Sequence, residues 1–166
     1  MITHRVGEIL GLKRNWEKFK FDVSWAFFQS KPTEKQNLWI RVPEEMQKVE
    51  GKAQFRRLLR EVPGTKGAPR AFFETIRDWL VKELKFTQSK VDRCLFHRFA
   101  DGIGKMFVSL HVDDGQGRGE KEWVDWFEEE LRKRFDIKGE GFTHVKLGET
   151  SEFCGVEWTE DKSGTI

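Results

Sequence analysis

Cys94-Leu95-Phe96-His97-Arg98-Phe99-Ala100-Asp101-Gly102-Ile103-Gly104-Lys105-Met106-Phe107-Val108-Ser109-Leu110-His111-Val112-Asp113-Asp114-Gly115, residues 94–115, is the stretch on which the fold class turns. Two strand-like apolar runs, Cys94–Phe99 and Lys105–Val112, flank Ala100–Gly104, which carries hairpin chemistry. The second run ends in two adjacent carboxylates at what reads as a tight turn. Adjacent residues of a strand point to opposite faces, but at a turn both side chains can approach one site.

Upstream, Phe19 and Phe21 alternate with Lys18, Lys20 and Asp22, so a strand is expected to end at or near Asp22. Before it, Val6, Ile9, Leu10, Leu12 and Trp16 fall at helical spacing, which predicts a helix over about residues 3–15. Leu38–Val42 reads as a strand ended by Pro43, and Phe55–Val62 as another, with Arg56, Arg57 and Arg60 on a solvated face. Pro69 suits the first turn of a helix running to about Leu84, with Phe72, Ile76, Leu80 and Leu84 as its buried stripe. A charged helix from about Glu120 to Phe135 turns Trp123, Trp126, Phe127, Leu131 and Phe135 inward, and Glu152–Trp158 is the last expected strand. This mixture of hairpins and helices indicates an α+β fold with an antiparallel sheet. Gly115-Gln116-Gly117-Arg118-Gly119 reads as a run that pairs poorly and leaves Asp113 and Asp114 loosely held.

The chain has 166 residues, a length for one domain or part of a larger one. Its 30 basic and 28 acidic side chains give a net charge of +2, which excludes the strongly basic profile of a DNA-coating protein. With 37% hydrophobic residues and a mean hydropathy of −0.65, no stretch approaches the ~18 to 20 apolar residues of a membrane span. The 7 Trp and 15 Phe exclude disorder of the whole chain. Cys94 and Cys154 read as reduced thiols of an intracellular protein, neither a disulfide framework nor a zinc site. The N-terminus lacks the apolar region of a secretory signal. His4, His97 and His144 are scattered and read as surface residues.

Asp22, Asp113 and Asp114 are expected to converge at strand ends. Three such carboxylates are hard oxygen ligands that suit Mg²⁺. Two ions about 3.5 to 4 Å apart clamp the attacking and leaving oxygens of phosphoryl transfer. Taken alone, Asp113-Asp114-Gly115 reads as ordinary turn chemistry rather than as a metal site.

Five segments in order shift that balance: Phe21-Asp22-Val23-Ser24-Trp25-Ala26-Phe27, Lys66-Gly67-Ala68-Pro69-Arg70-Ala71-Phe72, Asp92-Arg93-Cys94-Leu95-Phe96, His111-Val112-Asp113-Asp114 and Phe153-Cys154-Gly155-Val156-Glu157. Together they resemble the copia-type retrotransposon reverse transcriptase, over about Arg5 to Trp158. The resemblance implies a palm-like antiparallel sheet packed against helices, with partial fingers. It reads residues 1–166 as one partial reverse-transcriptase domain without thumb or RNase H, the rest lying in a Pol polyprotein. It implies RNA-directed DNA polymerisation with two Mg²⁺ ions, Mn²⁺ as substitute, on an RNA or DNA template with primer and deoxynucleoside triphosphates. The setting would be intracellular, in a cytoplasmic retrotransposon particle or the nucleus, with no membrane.

Residue by residue, the resemblance makes Asp22, Asp113 and Asp114 the catalytic metal-binding carboxylates, with Val23 lending its backbone to the metal and triphosphate region. Phe27 corresponds to the aromatic gate against a ribose 2′-OH, although core packing would explain it too. Lys66 and Gly67 correspond to the nucleotide-binding loop and Arg70 to a template contact at a helix start that can approach phosphate. The chain departs from the family pattern at His111, where Tyr is usual, at Pro63, also usually Tyr, and at Gly67, usually Gln. Two readings therefore stay open: a polymerase domain weakened in isolation, and a catalytically degenerate palm relic or a module that binds nucleic acid or protein. A third, an unrelated metal-dependent nuclease, leaves Phe27 and Lys66–Arg70 without a role. The Trp123/Trp126/Phe127 stripe reads as core packing rather than base stacking.

Overall fold

A computed structural model describes residues 2–32, 37–47, 53–100, 103–146 and 148–159. The expected turn residues Asp101 and Gly102 lie outside the described residues. The chain runs α1 (Ile2–Lys13), β1 (Glu17–Asp22), a 3₁₀ turn (Ala26–Gln29), β2 (Trp39–Arg41), a second 3₁₀ turn (Glu44–Met46), β3 (Phe55–Arg57), α2 (Ala68–Asp78) and a π-helical turn (Trp79–Glu83). There follow β4 (Thr87–Gln88), β5 (Leu95–Ala100), β6 (Ile103–His111), β7 (Asp114–Gly119), α3 (Lys121–Arg134), β8 (Phe142–Val145), β9 (Thr150–Phe153) and β10 (Val156–Thr159). Six strands form an antiparallel sheet in the order β4-β5-β6-β7-β1-β8, which establishes the α+β class. β2–β3 and β9–β10 are separate two-stranded hairpins. No helix among the described residues is long and apolar enough to cross a membrane.

One sheet face is apolar. Phe19 and Phe21 of β1 and Met106, Val108 and Leu110 of β6 pack with Phe72, Ile76 and Leu80 of the α2 segment and Val124, Phe127 and Leu131 of α3. The expected stripe of Phe72, Ile76, Leu80 and Leu84 is buried throughout, although its last turn widens to a π-helix, where the Leu84 amide donates to the Trp79 carbonyl.

The glycine run corrects the expectation of a weak strand. β7 is paired along its whole length, with β6 on one side and β1 on the other. Its glycines are what the apolar face demands. A Cβ on Gly115 would come within 2.1 Å of the Phe21 ring, and one on Gly117 within 2.7 Å of the Phe19 ring. The two rings lie over the bare strand and supply the apolar surface that its own residues lack.

The alternate residues of β7, Gln116 and Arg118, face α1, and here a second expectation is inverted. Val6, Ile9 and Leu10 are exposed, while His4, Glu8 and Gly11 turn inward. His4 is buried, not a surface residue. Glu8 accepts from Arg118 Nε at 2.7 Å and lies 3.8 Å from Lys18 Nζ, and His4 Nδ1 meets Ser109 Oγ at 3.0 Å. Gly7 and Gly11 bring the helix close, since a Cβ there would strike the Phe107 ring and the Arg118 side chain. α1 ends with Asn15 left-handed (φ 55°), the Trp16 amide donating to Gly11 and the Asn15 amide to Leu12. This closure turns the chain into β1.

Two strand expectations are shortened. Glu152–Trp158 is not one strand but the β9–β10 hairpin, because Cys154 and Gly155 both take positive φ (54° and 70°) and make a two-residue turn. Of Phe55–Val62 only Phe55–Arg57 is strand, and all three residues are exposed.

Candidate active site

Antiparallel pairing places Asp22, the last residue of β1, directly opposite Asp114, the first of β7. Direct partners share a face, so both carboxylates lie on the side of the sheet that α1 covers farther along, and both reach solvent there. His111 at the end of β6 is the other partner of Asp114, which leaves Val112 and Asp113 as a two-residue turn. Val112 has φ 56°. Positive φ is costly for a β-branched residue and requires surrounding structure to hold it. That support includes a hydrogen bond from the Val23 amide to the Asp113 carbonyl (3.1 Å) and one from the Asp22 amide to Gly141 (2.7 Å). Val23 is itself buried, so its backbone ties the turn to the core.

The electrostatics follow from this register. Partial burial, then the charge of Asp113, then a side-chain hydrogen bond and the charge of Asp22 push the Asp114 carboxyl up to about 6, with His111 opposing. Asp22 stands opposite Asp114 in the strand register, and Asp113 adjoins it on the turn, so both neighbouring carboxylates favour the protonated form of Asp114. The carboxylates at the paired ends of β1 and β7 fit a hard divalent cation, whose charge would relieve the repulsion that Asp114 meets from Asp22 and Asp113. They are not drawn together tightly. Among the described residues the single group of three acidic, His or Cys donors within 4.8 Å of one another lies elsewhere, at Glu17, Asp125 and His144.

Asp22 and Asp114 open on a cleft of about 280 Å³, also lined by Lys20, Phe21, Gly115, Glu140, Gly141, Thr143, Glu152 and Phe153. Lys20, Glu140 and Glu152 were not foreseen. Lys20 shares the β1 face with Asp22, and the period of two marks it, but Glu140 and Glu152 come from separate segments that only the tertiary fold brings here.

The remaining expected residues lie on neighbouring elements. Phe27 sits in the first 3₁₀ turn, half-buried against the main core, with Phe28 beside it more exposed. That turn is held to α2, since the Lys31 amide donates to Thr75 Oγ1 at 2.9 Å and Lys31 Nζ pairs with Asp78 at 2.8 Å. Gly67 caps α2 at its N-terminus, where the buried Glu61 carboxylate approaches so closely that a Cβ on Gly67 would lie 2.5 Å from Glu61 Oε1. A carboxylate thus already faces this helix end. Lys66 is exposed, and Arg70 is exposed and paired with Glu74 at 2.9 Å along the helix. Trp123 and Trp126 pack edge to face at the core edge, and the Arg98 guanidinium lies 4.7 and 4.8 Å from the two rings.

A family model described as reverse transcriptase (RNA-dependent DNA polymerase) matches residues 5–166. No solved structure gives a significant match to the chain.

Proposed function

Because the chain belongs to the reverse transcriptase (RNA-dependent DNA polymerase) family, we propose that it is a copia-type, palm-like polymerase domain with partial fingers, and that Asp22, Asp113 and Asp114 are its catalytic carboxylates. The observation that carries this reading is the pairing of Asp22 with Asp114 across β1 and β7, with Asp113 on the adjoining turn. Asp22 and Asp114 would hold divalent metal with the backbone of Val23 beside them, and Asp113 would close on the pair by side-chain rotation. Two Mg²⁺ ions, or Mn²⁺ in their place, would supply charge neutralisation for attack of a primer 3′-OH on the α-phosphate of a deoxynucleoside triphosphate. The chain's own part is to hold the acceptor oxygens at the paired ends of β1 and β7, with Asp114 ionised above a pH of about 6.

Lys66, exposed before α2, would bind the triphosphate, with Gly67 allowing close backbone approach and Arg70 reaching the template. Phe27, half-buried on an anchored turn, would bar a ribose 2′-OH from the nucleotide site. Residues 1–166 act in this reading as one partial domain that works with the rest of a Pol polyprotein, in a cytoplasmic particle or the nucleus. The second reading, a catalytically degenerate palm that binds nucleic acid or protein, draws support from the loose spacing of the three carboxylates and from Glu61 at the start of α2.

Primer extension on poly(rA) with oligo(dT), in Mg²⁺ and separately in Mn²⁺, tests the proposal. Extension by the wild type and none by the Asp113→Ala/Asp114→Ala double variant is expected. No extension in either metal by a folded sample overturns polymerisation by this chain and leaves the binding module.

A further inference from the structure

At the opposite end of β1 from Asp22, about 17 Å away at about 3.4 Å per residue, a second donor set stands outside the carboxylate site. Glu17 of β1, Asp125 of α3 and His144 of β8 each offer a ligand atom, and these atoms lie within 4.8 Å of one another. They line a cleft of about 700 Å³ and are half-buried, free to close the last ångström or so.

The imidazole carries the argument. His144 Nε2 lies 3.2 Å from Glu128 Oε2, so a proton on Nε2 is donated to that carboxylate, while Nδ1 faces Glu17 Oε2 at 3.5 Å. With Nε2 protonated, the Nδ1 lone pair and the Glu17 oxygen would repel across that gap unless a positive species lies between them. A proton on Nδ1 could serve those two atoms, but it could not also engage Asp125. A metal ion can engage all three, and a ring nitrogen bonded to an outer carboxylate is the usual arrangement behind a metal-bound histidine. Lys121 Nζ now holds Asp125 at 2.9 Å, but its side chain is exposed and can swing away.

We propose that Glu17, Asp125 and His144 form a Zn²⁺ site that clips β8 and α3 to the start of β1. One nitrogen and two carboxylate oxygens form a mixed donor set suited to Zn²⁺, with water as fourth ligand, whereas Mg²⁺ prefers all-oxygen surroundings. Donor atoms about 3.3 Å apart around a tetrahedral ion require only small rotations of these side chains. The site is independent of the polymerase reading.

Titration of the EDTA-stripped chain with ZnCl₂ by isothermal calorimetry, with 5 mM (about physiological-scale) Mg²⁺ present as competitor, tests it. Uptake of one Zn²⁺ per chain at micromolar affinity or tighter is expected, undisturbed by Mg²⁺ and by Asp22→Asn/Asp114→Asn. His144→Ala should abolish it, Glu128→Gln should weaken it about 10- to 100-fold, and Lys121→Ala should strengthen it, a gain that a misfolded variant would not give. No saturable uptake, affinity unchanged in His144→Ala, or loss of uptake in the Asp22/Asp114 variant would each overturn the site.

Discussion

Replacing Glu8 by Gln removes one negative charge from the contact between α1 and the sheet at nearly constant shape. Glu8 is fully buried, 2.7 Å from Arg118 Nε, 3.8 Å from Lys18 Nζ and 3.3 Å from Gln116 Nε2. Breaking a buried charge pair from one side costs about 3 to 5 kcal/mol. The low end applies here, because the amide oxygen can still accept from Arg118 and the Trp16 carbonyl still receives its Nη1 at 3.2 Å. A loss of about 3 kcal/mol corresponds to a fall in Tm of about 6 to 12 °C for a chain of this size. Urea unfolding followed by tryptophan fluorescence measures it, since Trp16 and Trp158 lie against this layer. An Arg118→Met change in the same background should recover part of the loss, giving a coupling above about 1 kcal/mol. A Glu8→Gln variant within about 0.5 kcal/mol of the wild type would refute the view that this charge network holds α1 down.

Gly115→Ala should destabilise by about 1 to 3 kcal/mol, because its methyl would displace the Phe21 ring beside Asp22; thermal unfolding that leaves Tm unchanged would contradict the aromatic cover of β7. In metal-free buffer, stability should fall as pH rises from about 4 through about 6, since the folded state holds the Asp114 proton more tightly than the unfolded chain, whose carboxyl titrates near 3.8. Asp114→Asn should flatten that slope and raise Tm in unfolding scans across this window, and an equally steep slope in the variant would contradict the assignment. Phe27→Ala should raise incorporation of ribonucleotides relative to deoxynucleotides at least tenfold in primer extension, if the parent extends; an unchanged ratio would leave Phe27 as a packing residue.

The elements legible in the sequence are those whose own side chains carry the period. β1, β6, α2 and α3 each bury a stripe that their residues announce, such as Phe72, Ile76, Leu80 and Leu84. β7 was illegible because its packing surface is lent by Phe19 and Phe21 on a neighbouring strand, and a run of glycines gives no sign of a borrowed face. The face of α1 was illegible for the converse reason. Burial of His4 and Glu8 depends on Arg118, Gln116 and Ser109, about 100 residues away, while Val6, Ile9 and Leu10 are left outside. The turn at Cys154-Gly155 was visible only as a glycine within an apparent strand. At the candidate site, Asp22 and the Asp113-Asp114 pair were readable from their positions at strand ends. Glu140 and Glu152 reach the same cleft only through the placement of β8 and β9.

Iron-directed backbone cleavage locates a divalent-cation site without requiring polymerase activity. The metal-stripped chain is incubated with Fe²⁺, ascorbate and peroxide, and the fragments are mapped by mass spectrometry. Cuts near Asp22 and near Asp113 that disappear in Asp22→Asn/Asp114→Asn, while any cuts near Glu17 and His144 persist, are expected if the ends of β1 and β7 hold the catalytic metal. Absence of cuts at Asp22 and Asp113, or cuts there that survive the double substitution, would contradict it.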